Sequence, residues 1–551
     1  MWRFTVAHSM PLLFLCAWAS VAAVAQAASP PNFVFLLSES LDGRLLRDDS
    51  AAKIPNIRAL LSSGSVQFDT AYSSNPVCAP SRASLWSGRA PHKIPHEHNG
   101  YLVNGAWNNY EGLDKNYSAR LDQLLAGMGY TTGVYGKTDW TVGGHSESCM
   151  LASLTFNVAW PYNVSSNGGW NEEDATCSSP GPVEPGGSPG PSGTIYPSDW
   201  KIIDTVSSSI ASLAQPFFTF AGNSILHPPY QTTAYWYNIA AERPVPQWKP
   251  LEALHPCHFQ MAMKHGCTPS ASDYAGFHNA TRVARVRRVY LAELEEYDAM
   301  VGQVIAALEA SGRRDNTWVI LGADHGDMQL ASQLFYKMVP YDGSSRIPLI
   351  FAHPSLGSHR VVAQPTQLLD IFPTVLRLAS PSTPLPAYAD GHDLAPFLQG
   401  ASTDPTRPPF VLFQNHDEDQ SMSWFAIANG THKLVQFGTG AEVPPQLFNL
   451  ISDPEESVDL APSQPDAVRE LDDALRTLID YPSVALDVAL YQKQQLRQWV
   501  NRTKNWQTEV VRQRWQTAWE AEPSRSMKAF TEYLADDKIF LLPCNGATAH
   551  K

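Results

Sequence analysis

Asn32-Phe33-Val34-Phe35-Leu36-Leu37 is an almost unbroken apolar run, and Ser38-Glu39-Ser40-Leu41-Asp42 follows it at once. Six residues are too few for a buried helix but enough for a strand covered on both faces. Outward from this run the same texture repeats. A helix is expected over 56–63, and another over 119–128, leading into a strand at 131–135. Strands follow at Phe217-Phe218-Thr219-Phe220 and Thr317-Trp318-Val319-Ile320-Leu321, and Val283 to Glu309 is a long amphipathic helix without proline. Strands alternating with helices predict an α/β fold, a large mainly parallel sheet between helices.

Two segments depart from the alternation. Residues 178–198 are rich in Pro, Gly and Ser and read as a surface insertion. Beyond 401–409, short strands are expected at 410–413, 424–428, 433–437 and 446–448, then helices at 467–479 and 488–520. The expected division is therefore a signal peptide at 1–27, a catalytic domain at 28–400 and a smaller C-terminal α+β domain at 401–551.

Composition bounds the function. The 551 residues hold 39 Lys+Arg against 53 Asp+Glu, a net charge of −14, with 44% hydrophobic and 17% charged residues. Such a chain buries a core, which excludes a disordered or fibrous protein. The acidic balance excludes a general nucleic-acid binder. Arg3, the apolar stretch from Met10 to Val24 and Ala25-Gln26-Ala27 fit a cleaved secretory signal. No later stretch is apolar enough to span a membrane, so the expected product is exported and soluble. Export favours disulfides, and spacing suggests Cys149–Cys177 and Cys257–Cys267 without fixing connectivity. Sequons begin at Asn116, Asn163, Asn279, Asn429 and Asn501.

In an open α/β sheet, ligands bind beyond the carboxyl ends of the strands. Glu39 follows the first strand, Lys137 the strand at 131, His227 the strand at 217, and Asp324-His325 the strand at 317, with His145 a loop after Lys137. Glu39, Asp324 and His325 suit a divalent cation, the carboxylates because hard cations prefer oxygen. Lys137, Lys337 and the histidines suit an oxyanion. Singly, an Asp after a strand is more often a turn former and a Lys is usually solvated surface. The shared edge makes the functional reading. Cys78 opens a turn-to-helix stretch, where it is either an activated nucleophile or a buried structural thiol.

Cys78-Ala79-Pro80-Ser81-Arg82, continued by Ser87-Gly88-Arg89, resembles the signature of the type I sulfatases. Gly136-Lys137, His227-Pro228, Asp324-His325-Gly326, Lys337 and Arg346-Ile347-Pro348-Leu349 match that family in order, over nearly the whole mature chain. The resemblance implies an alkaline-phosphatase-like fold and one divalent cation, Ca2+ ahead of Mg2+, held by Glu39, Asp324, His325 and the modified Cys78. It also implies conversion of Cys78 to formylglycine by a formylglycine-generating enzyme, followed by attack of the hydrated aldehyde on sulfur. Arg82 would then steady the diol, His145 relay its proton, and Lys137, His227 and Lys337 neutralise the sulfate.

Ser38 to Leu45, Trp107 to Asp114, Gly136 to Thr141, Trp248 to Leu251 leading to His255-Pro256, and Phe335-Tyr336-Lys337-Met338 resemble one branch of the family. That branch comprises lysosomal exosulfatases that remove 2-O-sulfate from glucuronate at glycosaminoglycan ends. The likeness implies a sulfated carbohydrate substrate, a lysosomal or secreted location, and His255 as a second candidate beside His227 for binding it. Two departures stand out. Most sulfatases have two adjacent aspartates where this chain has Glu39-Ser40, and Thr138-Asp139 interrupts the usual Gly-Lys-x-His. Two rival readings remain at this level: a phosphoryl or phosphonate monoester hydrolase of the same superfamily, and a catalytically silent binder of sulfated glycans.

Overall fold

The computed structural model describes residues 29–47, 49–98, 101–109, 111–142, 183–228, 230–243, 253–258, 280–416, 422–506 and 535. Its centre is a seven-stranded sheet built from β1 (Asn32–Ser38), β2 (Ser65–Phe68), β3 (Thr131–Gly136), β4 (Phe217–Gly222), β5 (Thr317–Ala323), β6 (Leu349–Ala352) and β7 (His359–Val362). Their spatial order is β7-β2-β6-β5-β1-β4-β3. The block β5-β1-β4-β3 is parallel throughout. β6 runs antiparallel to both its neighbours, so the sheet is mixed on that side. The apolar run that opened the sequence is the middle of the parallel block, and all seven residues of β1 are buried.

Two groups of helices cover the sheet, as burial on both faces requires. One comprises α1 (Pro55–Ser62), α4 (Pro197–Ile210) and the long α5 (Ala280–Ala310). The other comprises α2 (Cys78–Ser87), α3 (Leu121–Gly127) and α6 (Ile371–Ala379). Trp86 anchors α2 to the sheet: it is fully buried against Trp140, 4.3 Å between ring centroids, and edge-on to Phe220 at 5.0 Å. Burying so large a ring contributes about 3 kcal/mol, which fixes the helix that begins at Cys78.

Strands β8 (Val411–Asn415), β9 (Trp424–Ala428), β10 (His432–Phe437) and β11 (Gln446–Asn449) form a separate antiparallel sheet. One face meets the large domain, where Tyr72 stacks on Phe413 at 4.7 Å. The other is covered by α7 (Pro465–Leu478) and α8 (Tyr481–Arg502), with Phe425, Ile427 and Leu434 against Leu471 and Leu475. The expected helix at 488–520 thus begins earlier, and residues from 507 onward fall outside the described part except for 535. Residues 1–27, where a signal peptide is expected, and the first five residues of the insertion at 178–198 also fall outside it. The rest of that insertion is partly ordered, pairing Val183 with Thr232 and entering α4 at Pro197. Cys257 is disulfide-bonded. Among the described residues no helix is long and apolar enough to cross a membrane.

A buried ion cluster ties the small sheet to the segment that follows β5. Lys433 of β10 is fully buried, 2.7 Å from Asp342 and 2.5 Å from Glu456, and it donates to Pro340 O at 2.7 Å. Removing one member of such a cluster strands the others without compensation. Lys433→Ala is therefore expected to cost about 3–5 kcal/mol in denaturant unfolding. A loss below about 1 kcal/mol would mean that this cluster holds nothing together.

Candidate active site

The parallel block delivers its carboxyl ends in register. Ser38 lies opposite Ala323, Leu37 opposite Gly222, and Gly222 opposite Gly136. The residues that follow, Glu39, Asp324 and Lys137, therefore reach one edge. The end of β3 needs glycine: at Gly136, φ is +82°, and a Cβ there would lie 2.1 Å from Gly222 O. A Cβ on Gly222 would lie equally close to Lys137 O. The carbonyl of Lys137 then accepts from Arg82 Nη1 at 2.8 Å.

Cys78 is the first residue of α2 and is fully buried. Its Sγ lies 2.9 Å from Glu39 Oε1, 2.7 Å from Lys337 Nζ and 3.4 Å from His325 Nε2. Lys337 Nζ is also 3.1 Å from His325 Nε2. Lys137 Nζ donates to Glu39 Oε1 at 2.6 Å, and His227 Nε2 is 3.6 Å from the same oxygen. Arg82, also fully buried, pairs through Nε with Asp324 Oδ2 at 2.8 Å. Asp324 Oδ1 accepts from the backbone N–H of His325 and of Ser40.

Charge shapes this pocket. Burial pushes the Glu39 carboxyl up, but Lys137 and its cationic neighbours outweigh it and hold the group well below the ordinary carboxylate range. Burial works against the ammonium of Lys337, yet Cys78, Glu39 and Asp324 raise its pKa. Burial, with Glu39 adding, pushes the Cys78 thiol up to about 12 despite Lys337 and Lys137. The helix N-terminus does not activate the sulfur, contrary to that reading of the sequence. Desolvation wins, and the backbone N–H of Ala79 is already taken by Asn109 Oδ1 at 3.1 Å. Burial also lowers His325 to about 4 and His227 to about 3, so both rings are neutral at neutral pH.

Glu39, Cys78, Asp324 and His325 present ligand atoms that all lie within 4.8 Å of one another. Glu39 Oε2 is buried without a hydrogen-bond partner among the described residues. Two carboxylates, one of them with an orphaned oxygen, and an imidazole fit a divalent cation. Ser40, where most sulfatases have the second aspartate, supplies backbone instead: its N–H donates to Asp324 and its O accepts from Tyr290. Asp42 takes no part, being chelated by Arg44.

The structure brings together Glu39, Cys78, Arg82, Lys137, His227, Asp324, His325 and Lys337. It does not bring His255, whose ring stacks on Phe437 at 4.3 Å and bonds to Pro444 O. The family likeness made His255 a candidate, but the residue itself docks on the small sheet. His145 lies outside the described residues. Sequence reasoning gave no role to Asn109 or Tyr336, whose hydroxyl lies 2.9 Å from His227 Nε2. Both sit in stretches already singled out by the family likeness, but no spacing rule distinguishes them there.

A family model described as Sulfatase matches residues 31–381, and one described as N-sulphoglucosamine sulphohydrolase, C-terminal, matches residues 331–482. This chain belongs to the sulfatase family. Arylsulfatase K of Xenopus laevis is 29% identical over 531 residues, covering 91% of this sulfatase and 92% of the relative. Arylsulfatase K of Danio rerio is 30% identical over 528 residues, covering 92% and 94%. Arylsulfatase K of Homo sapiens is 28% identical over 536 residues, with the same coverage. Among solved structures, a phosphonate monoester hydrolase of Agrobacterium radiobacter aligns with a TM-score of 0.62 at 21% identity, covering 81% of this chain and 95% of that one. A 2-O GAG sulfatase aligns with a TM-score of 0.58 at 21% identity, covering 82% and 94%. These two show a common fold. The sulfatase is a sulfuric ester hydrolase, similar to arylsulfatase K over nearly its whole length.

Proposed function

We propose that this sulfatase removes 2-O-sulfate from glucuronate in glycosaminoglycan-type polysaccharides, at a site where Cys78 is converted to formylglycine and a divalent cation, Ca2+ ahead of Mg2+, is bound. The observation that carries the reading is the contact of Cys78 with Glu39, His325 and Lys337 in one buried pocket. A cysteine held as a thiol there is a poor nucleophile, whereas the family's aldehyde hydrate would supply an oxygen nucleophile and the cation a Lewis acid on the sulfate.

This chain's residues then divide the work. Glu39, Asp324 and His325 hold the cation, and Arg82 fixes Asp324 from behind. Lys137 and Lys337 neutralise the sulfate, each close to Glu39 and so balanced when no sulfate is bound. His227, from the loop after β4, stands beside them, and its Nε2 would serve the sulfate or the leaving oxygen as a donor once it takes up a proton. The likeness to arylsulfatase K and the 2-O GAG sulfatase supports the choice of sugar. The N-terminal signal and the sequons support a secreted or lysosomal enzyme.

The test is sulfate release from a panel of sulfated uronates and hexosamines, with phenyl phosphonate alongside, using enzyme from a host that makes formylglycine. Release from 2-O-sulfated glucuronate alone is the expected result. Release confined to another sugar would keep the chemistry and discard this substrate. Turnover of the phosphonate alone would replace the reading altogether.

A further inference from the structure

We propose that Tyr336 is a positioning residue for sulfate-ester cleavage, tying the His227 imidazole to the Lys337 ammonium across the pocket. The inference rests on the functional reading above and assigns a role to a residue outside the family signature.

Tyr336 touches both partners. Its hydroxyl lies 2.9 Å from His227 Nε2, and the two rings meet edge to face at 5.5 Å. His227 Nδ1 is 2.5 Å from Pro228 O. A carbonyl only accepts, so Nδ1 carries the hydrogen and donates it. In the neutral ring Nε2 is then the acceptor, and the Tyr336 hydroxyl donates to it. Pinned at both nitrogens, the imidazole cannot rotate, and Nε2 stays 3.6 Å from Glu39 Oε1. On its other side the Tyr336 ring carries Lys337 Nζ, 4.4 Å from the ring centroid. Lys337 is fully buried, and a buried cation over an aromatic face is held more firmly than one in water. The same Nζ reaches Cys78 Sγ at 2.7 Å.

The backbone adds an independent sign. Tyr336 has φ +77° and Met338 φ +73°, either side of Lys337, and Gln329, Leu330, Ser332 and Gln333 are also left-handed. For a bulky residue such as Tyr336 this region is an outlier. Outliers of this kind persist where the surroundings over-determine them, and they gather at ligand clamps. Tyr336 and Leu334 are buried, so the loop is packed in place. His227 comes from the loop after β4 and Lys337 from the loop after β5, and the phenol couples the two.

The chemistry gives this coupling a signature. An alkyl oxygen leaves a sulfate ester as a strong base that needs a hydrogen-bond or proton donor, whereas a nitrophenolate does not. With Nδ1–H given to Pro228 O, His227 can be that donor only once Nε2 takes up a proton, the Tyr336 oxygen then accepting beside it, so misaligning the ring should harm sugar sulfates more than aryl sulfates. Tyr336→Phe keeps the ring and removes the hydroxyl; Tyr336→Leu removes both. In Tyr336→Phe, kcat on the sugar sulfate is expected to fall by about 10–100-fold, the range for groups that orient a ligand. The fall should be smaller on 4-nitrophenyl sulfate, with sulfate affinity and melting temperature unchanged. Tyr336→Leu should also weaken binding of inorganic sulfate. With 15N-labelled histidine, the Nε2 resonance of His227, identified by its absence in His227→Asn, should move in Tyr336→Phe. Wild-type rates with an unmoved resonance would overturn the proposal, and so would equal losses on both substrates. If the wild type cleaves no sulfate ester, the functional reading falls first, and the resonance alone still decides whether Tyr336 positions His227.

Discussion

Cys78→Ala is expected to fold normally and to release sulfate at a rate lower by about 10^6-fold, the scale seen when a covalent nucleophile is removed. Losing one buried sulfur from a helix end costs about 1 kcal/mol, small beside the total stability of a large domain. Lys337 keeps His325 and Glu39 as partners, so the pocket survives the change. Mass spectrometry of the wild-type peptide spanning Cys78 gives the companion measurement, since an aldehyde there is lighter than a thiol. An alanine variant that kept a hundredth of the activity would place the nucleophile elsewhere. An unmodified thiol in fully active enzyme would remove formylglycine from the reading.

Asp324→Asn is the second large effect, and it is legible in two independent quantities. The carboxylate faces Arg82 with one oxygen and two backbone N–H groups with the other. An amide can still accept from the backbone, but it then turns its own N–H2 toward the Arg82 guanidinium. Arg82 is fully buried, and its remaining carboxylate, Glu39, is 4.0 Å away. Breaking such a pair from one side costs about 3–5 kcal/mol, so the midpoint of denaturant unfolding should drop accordingly. The same change removes one of the two carboxylates suited to a hard cation. Calorimetric Ca2+ affinity should weaken, and sulfate release should fall by at least a hundredfold or so. Lost activity with unchanged Ca2+ affinity would mean that Asp324 serves Arg82 and not a cation.

Strand runs such as β1 and β5 were readable from the sequence because both faces are buried, leaving long apolar stretches. The three remaining strands of the large sheet were not. Ser65–Phe68 and His359–Val362 are short and carry polar residues, and Leu349–Ala352 follows a proline. The carboxyl-end rule placed Glu39, Lys137, His227 and Asp324 together because it follows from topology alone. It had no bearing on His255, which entered by family likeness alone and packs against Phe437 of the small sheet. Nor could it foresee that desolvation would overrule the helix N-terminus at Cys78, because burial is a property of packing. The role of Tyr336 is hidden from the sequence for a similar reason. Its role depends on a left-handed backbone that local sequence does not announce.

The order in which the pocket's residues are made has a consequence in time. β1 pairs with β5, some 285 residues later in the chain, and Lys337, which seals Cys78, lies 259 residues beyond it. At a synthesis rate of about 5–20 residues per second, roughly 10–50 s pass between the emergence of Cys78 and that of Lys337. Until then the sulfur has no completed wall on that side. Once the sheet closes, the sulfur is fully buried. If Cys78 is converted as proposed above, the maturation enzyme would have a deadline set by the length of the chain between these two residues, and a faster-translated or shortened middle segment would shorten it.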